Sequence, residues 1–187
     1  MTTYRLTRCL DYAALDLRCD DIEQYFPDEF DIAEIFSFSL HNISLGSFWP
    51  DIKTDFITDN NTLPLPDISL WLDYGLLLSP AAKIYLSEML KPYGEFLPIY
   101  VGDEQWHIFN CLTAVELDKN TSSNNSIAFK RNQVGNKFIF KCLDPENFGF
   151  YCQEKFKSAI ESYGLKGLFI KTKHNDLITD KDIILAD

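Results

Sequence analysis

The chain is predicted to be an α+β protein, with a mixed, mainly antiparallel sheet, two main helices packed on it and a possible small N-terminal lobe. Three observations carry that prediction. Residues 80–90 and 152–163 each space their apolar side chains as one face of a helix. Each stretch then reaches a Tyr-Gly (Tyr93-Gly94, Tyr163-Gly164) and leaves it for an apolar strand-like run. Aromatic residues make up 14% of the chain, fifteen of them Phe, which favours extensive sheet over a helical bundle. Strands near helices without regular β-α-β alternation read as α+β.

Taken in order, residues 3–10 alternate Tyr4 and Leu6 with polar neighbours and predict a first strand. Residues 19–34 are dense in acids, with Ile22, Tyr25, Phe26, Phe30 and Ile32 interleaved, and suit a short helix or a loop lying on the core. Residues 35–45 place Ile35, Ser37 and Ser39 on one side and Phe36, Phe38 and Leu40 on the other, the period of a half-buried strand. Gly46-Ser47 signals a turn, and the polar run Asp59–Thr62 with Leu63-Pro64-Leu65-Pro66 marks a junction. Residues 1–60 are accordingly an N-terminal lobe or a sheet extension, and 61–187 the core.

The stretch Asp67–Asp118 is the most ordered. Leu76-Leu77-Leu78 predicts a strand stopped by Ser79-Pro80, an N-cap hydroxyl followed by a proline at the first helical position. Ala82, Tyr85, Leu86, Met89 and Leu90 form the helix's apolar face, and Pro92 and Gly94 end it. Residues 96–101 and 106–109 predict strands joined by the turn Gly102-Asp103-Glu104. The same unit recurs about 70 positions later, with Ala82, Leu86, Met89, Leu90 and Tyr93 matching Cys152, Phe156, Ala159, Ile160 and Tyr163. Between the copies come the polar loop 118–126, strand-like runs at 127–130 and 137–142, and a turn at Asp144-Pro145 leading into the second helix. A strand at 168–171 follows it, and residues 178–185 suit a short edge element.

A chain of 187 residues is long enough for one domain with a real core. No apolar run approaches the roughly 20 residues that span a bilayer, and residues 1–17 lack a basic head with an unbroken apolar stretch, so the expectation is a cytoplasmic protein without membrane contact. The five cysteines are widely spaced with no Cys-x-x-Cys pair, which suits reduced core thiols. The net charge of −11 is uneven: residues 1–118 balance to −14 and residues 119–187 to +3. An acidic face argues against nucleic-acid phosphates and favours a basic partner, although solubility alone also explains it.

No catalytic, metal-binding or cofactor-binding constellation stands out. His107 follows Asp103 and Glu104 in a strand, conceivable as a general base but more ordinary as a sheet histidine. His41 and His174 have no nucleophile or metal-spaced partner, and Cys111 reads as a core thiol. There is no Gly-x-Gly-x-x-Gly, Walker loop or Gly-x-Ser-x-Gly.

From Ser47-Phe48-Trp49-Pro50 through Asp67–Trp71, Phe96–Ile99, Trp106–Asn110 and Val115–Asp118 to Phe150–Lys157 and Gly164–Leu168, the order of segments resembles a family of bacterial immunity proteins from polymorphic toxin systems. The resemblance covers most of the chain beyond residue 45. It implies a non-enzymatic protein, free of cofactor and metal, that binds and neutralises one cognate toxin. The acidic balance suits a basic toxin, occluded by a surface of Asp28, Glu29, Asp31 and Glu34, joined by Asp103 and Glu104 and anchored by Tyr25 or Phe26. A nucleic-acid-mimic inhibitor and a small enzyme with a pocket near His107 are the alternatives.

Overall fold

The computed structural model describes residues 2–57, 63–123, 126–175 and 180–186. The predicted junction at Asp59–Thr62 lies outside them. The elements run β1 (Thr3–Arg8), α1 (Cys19–Glu23), α2 (Ile32–Phe36), β2 (Ile52–Thr54), β3 (Ile68–Trp71), β4 (Gly75–Leu78), α3 (Pro80–Leu90), β5 (Gly94–Val101), β6 (Glu104–Cys111), β7 (Ala114–Val115), β8 (Ser126–Lys130), α4 (Arg131–Val134), β9 (Ile139–Cys142), β10 (Gly149–Gln153), α5 (Glu154–Ser162), β11 (Leu168–Lys171), β12 (Lys173–Asn175) and β13 (Asp180–Ala186). The fold is α+β, as the sequence predicts, with α3 and α5 the two long helices.

The strands form three mixed sheets, ordered β2-β5-β6-β4-β3, β11-β1-β10-β9-β7 and β12-β13-β8. The first two contain the same wiring. In one, β4 and β5 both run antiparallel to β6, which lies between them, and α3 joins them. In the other, β10 and β11 both run antiparallel to β1, and α5 joins them. β3 flanks β4 as β9 flanks β10. The difference is the origin of the middle strand: β6 follows its unit directly, whereas β1 comes from the opposite end of the chain. Residues 2–57 therefore contribute β1 to the interior of the C-terminal sheet, between β11 and β10, and β2 to the edge of the other.

The two helices explain why the units meet. α3 buries Ala82, Leu86 and Leu90, and α5 buries Phe156 and Ile160, all in one core with Leu76, Leu78, Phe109, Phe150 and Cys152. Ser79 accepts from the Ala82 amide at 3.2 Å and Pro80 opens α3, so the predicted cap holds. Tyr85 departs from the expected face: it is half exposed and stacks on Tyr163 at 4.5 Å. Gly94 lets β5 begin against β6, because a Cβ there would overlap the Asn110 carbonyl oxygen. Gly167 has φ +114° and sits against the Ile68 carbonyl and Pro66, a place only glycine fills without strain.

Three expectations are corrected. Residues 35–45 are not a strand: α2 ends at Phe36 and turns follow. The box between Asp31 and Glu34, in which each carboxylate accepts the other's backbone amide at 2.8 and 3.1 Å, nucleates a helical turn that overrides the alternation. The second helix does not begin after Asp144-Pro145, nor at Cys152. Strand β10 intervenes, buried on both faces, and Cys152 belongs to it. The tail adds no edge: β13 is the middle strand of its sheet, parallel to β8.

A second core, Leu15, Ile22, Phe26, Phe38, Leu45, Ile52, Trp71, Ile99, Trp106 and Ile108 among others, lies on the other face of the β2-β5-β6-β4-β3 sheet. Its cover is the layer of residues 13–49. Lys141 of β9, fully buried, reaches that layer and donates to the Ser39 carbonyl at 2.6 Å.

Candidate functional site

A wide concavity is built where the chain before α1 meets β2. Leu15 bridges to Phe56, the Asp16 amide donates to the Asp55 carbonyl at 2.8 Å, and the Thr54 hydroxyl donates to the Asp16 carbonyl at 2.6 Å. Leu17, Cys19, Ile22 and Ile52 point inward to the core, so the intervening polar residues must point outward. The result is an open groove of about 940 Å³ whose wall carries Asp16, Asp20, Asp21, Asp51 and Asp55 against Arg18 and Lys53. Tyr25 stands in the same wall, 42% exposed. A neighbouring hollow of about 380 Å³ shares Asp51 and Lys53 and continues to Tyr100, Gly102 and Asp103.

The structure brings together some of the sequence-predicted residues. Tyr25 lines the groove, and Asp103 lines the neighbouring hollow that shares Asp51 and Lys53 with it. Phe26 does not reach the surface: only 9% exposed, it packs against Phe30 and Phe48 at ring distances of 5.6 and 5.1 Å. Asp28, Glu29 and Asp31 are exposed and Glu34 partly so, but all four lie outside the lining, as does Glu104 at the start of β6. Asp31 and Glu34 are also committed to capping α2. Asp16, Asp51 and Asp55 escape the sequence reading. Their only signal is the Asp-x-x-x-Asp frame around the strand Ile52-Lys53-Thr54, too short to stand out.

His107 packs edge-on against Phe96 at 6.3 Å and lines neither the acidic groove nor the hollow beside it. Burial, with the Lys83 charge second, pulls its pKa down. The Cys111 thiol is pushed up to about 11 by burial, the opposite of an activated nucleophile. Among the described residues, no three His, Cys, Asp or Glu side chains are grouped to hold a metal ion.

Among the described residues Lys141 is the most perturbed cation, held down at about 8 by burial, a shift that Cys111 and Glu95 oppose. In the unfolded chain it titrates near 10.5, so below pH 8 the fold carries a buried ammonium, and between 8 and 10.5 it sheds a proton that the unfolded chain keeps. Lys141 alone therefore makes stability rise with pH in that window. From about pH 8 the buried thiols of Cys19, Cys111 and Cys142, each raised from 9.0 to about 11, and of Cys152, also raised, act in the opposite sense, because only the unfolded chain ionises them. The two effects offset each other near pH 9, so the amine is read from a difference: in urea unfolding, the stability of the wild type relative to Lys141→Met is expected to rise by about 1 kcal/mol between pH 7 and pH 9. A difference that does not change with pH would place the amine in a wetter site than the geometry shows.

No helix among the described residues is long and apolar enough to cross a membrane. Compared with known families and curated proteins, the chain matches no family model and no curated protein.

Proposed function

We propose that this chain is an immunity protein that binds one basic bacterial toxin and covers its active site. The observation that carries the reading is the acidic groove itself, in which Asp16, Asp20, Asp21, Asp51 and Asp55 face two cations across an open surface with Tyr25 at hand as an aromatic anchor. A basic protein surface complements it in sign and in breadth, and the field of such a patch accelerates encounter with a cationic partner. A cytoplasmic site of action is part of the proposal, supported by five cysteines that are all free and buried. The resemblance of the core segments supports the role, and the groove supports the choice of surface.

The test is capture of a partner from native lysate by the tagged chain at low and high salt, with the neighbouring open reading frame assayed for toxicity alone and with this chain. One stoichiometric partner, toxic alone and harmless when co-expressed, is the expected result. Among the described residues the side chains of Asp16, Asp20 and Asp51 make no hydrogen bond, so their joint reversal to Lys is expected to leave the fold intact. It should weaken toxin binding about 100-fold at low salt and flatten its salt dependence. Reversal of Asp28 and Glu29 is the comparison. An equal loss there would move the docking surface to the flank of α2, and an unchanged affinity in the groove variant would remove the groove from the interface.

A further inference from the structure

The wall of the acidic groove runs on into an apolar surface. The antiparallel bridge between Leu15 and Phe56 sets Asp16 opposite Asp55 and, just beyond the groove, Ala14 opposite Ile57. The Ile57 amide donates to the Ala14 carbonyl at 2.8 Å. On the other side of this stretch the Ala13 amide donates to the Pro64 carbonyl at 3.0 Å. Ile57 and Leu63-Pro64-Leu65 therefore flank Ala14, a short side chain between longer ones. Ile57, Leu63 and Leu65 are 47%, 43% and 53% exposed, and none of them belongs to the apolar cores. Pro64 is exposed with them, while Pro66 is buried against Gly167 and pins the run. Three consecutive exposed apolar residues on a fixed backbone mark a surface that something covers.

We propose that this apolar surface and the acids beside it form one contact, occupied by a partner segment in which an aliphatic or aromatic side chain adjoins a row of Lys and Arg. Continuity and charge name the occupant. The apolar side chain seats over Ala14 between Ile57 and Leu65, and the first cation falls between Asp16 and Asp55. Like charges directly opposite repel, and among the described residues neither carboxylate is ion-paired, so a cation from the partner relieves both. A run fixed by Pro64 and Pro66 loses little freedom on docking. A second copy of this chain fits poorly, because a twofold contact here would bring Asp16 and Asp55 toward their own counterparts. The inference rests on the groove as the site of a basic partner, and it adds what holds that partner when charge is screened.

Two acetylated, amidated peptides are the probes: one of Lys and Arg alternating with Gly, and the same sequence extended by Leu-Trp-Leu. Each is titrated into the isotope-labelled full chain at low and high salt and followed by amide chemical shifts. The basic peptide is expected to shift residues 16–21 and 51–55 and to be lost at high salt. The extended peptide should also shift Ala14, Ile57, Leu63 and Leu65, bind at least about tenfold tighter and persist at high salt. Ile57→Ser with Leu65→Ser should reduce its affinity to that of the basic peptide. Ile84→Ser, at an exposed apolar position on α3, should change neither. Equal affinity of the two peptides would strike the apolar surface and leave the groove's reading standing. Shifts at the apolar surface with none in the groove would separate the two and overturn the proposal. No saturable shift from either peptide up to about 5 mM would strike the proposal and the groove together. Shifts at Ile57 and Leu65 that follow protein concentration without peptide would make the occupant a second copy.

Discussion

Trp71→Ala is expected to remove about 4 kcal/mol, comparable with the whole stability of many domains. The ring is 2% exposed at the end of β3, stacked near Phe38 at 6.0 Å and edge-on to Trp49 and Tyr74 at 6.3 and 5.8 Å. Its Nε1–H donates to the Leu17 carbonyl at 2.8 Å, a buried bond that ties the stretch before α1 to the sheet. Truncation opens a cavity at the meeting point of residues 17, 38, 49 and 74 and leaves the Leu17 carbonyl without its donor. Trp71→Phe keeps most of the ring volume and loses the bond, for an expected cost of about 2 kcal/mol. Urea unfolding gives the size and hydrogen exchange the location: protection should fall first across residues 13–49. Uniform loss across both units would show that the layer and the shared core unfold as one. That result would also set the groove's rigidity, since Leu17 and Ile52 hold its wall from beneath.

Local signals carried the reading where they were chemically distinct. Ser79-Pro80 announces α3 because a hydroxyl cap and a proline at the first turn have few other uses together, and the structure has both in place. The turn at Gly102-Asp103 announces the β5–β6 hairpin, in which Val101 opposes Glu104. The recurrence at 70 residues was legible because matching core positions enter one shared core: Leu86 with Phe156, and Leu90 with Ile160. What alternation misread at 35–45 was a competition between a weak periodicity and a strong local box. Asp31 and Glu34 satisfy two otherwise unpaired amides, and six residues of alternation do not outweigh that. Phe150-Tyr151-Cys152 failed for the reverse reason, since a strand buried on both faces has no period to read.

The candidate site was less legible because it is made of distance. Asp16 and Asp55 are 39 positions apart and meet through one backbone bond and a bridge between Leu15 and Phe56, neither of which leaves a mark in residue type. The acidity of residues 19–34 was visible, but which acids share a wall depends on α1 and α2 turning the segment. That turn sends Asp20, Asp21 and Tyr25 to the groove and Asp28 and Glu29 away from it. The Tyr25-Phe26 pair shows the limit at a single step: adjacent aromatics of like character, one outside and one in the core.

Glu95→Ala is expected to cost about 3 kcal/mol, large for a side chain that is not fully buried. The carboxylate accepts from the Leu45 amide at 2.6 Å, the Ser44 hydroxyl at 2.8 Å, the Gly46 amide at 3.2 Å and the Asn110 side chain at 2.8 Å. Three of these donors belong to the turn after α2, a segment with no strand pairing of its own, so one carboxylate on β5 does for it what a ladder does elsewhere. Asn110 also donates to the Ile43 carbonyl at 2.9 Å, and its neighbour in the layer, Asn42, donates to the Leu112 carbonyl at 2.8 Å. Removing Glu95 leaves donors around the buried Leu45 unpaired and loosens the cover of the second core. The bonds of Asn42, Asn110 and Lys141 hold the segment at residues 39–43, ahead of the turn that Glu95 holds. Glu95→Gln keeps the shape and two acceptor lone pairs, and is expected to lose about half as much. A double-mutant cycle with Asn110→Ala, read by urea unfolding, should show a coupling of about 1 kcal/mol. Additivity within about 0.3 kcal/mol would mean that the turn is held by its apolar residues, Ile43, Leu45 and Phe48, and not by the carboxylate.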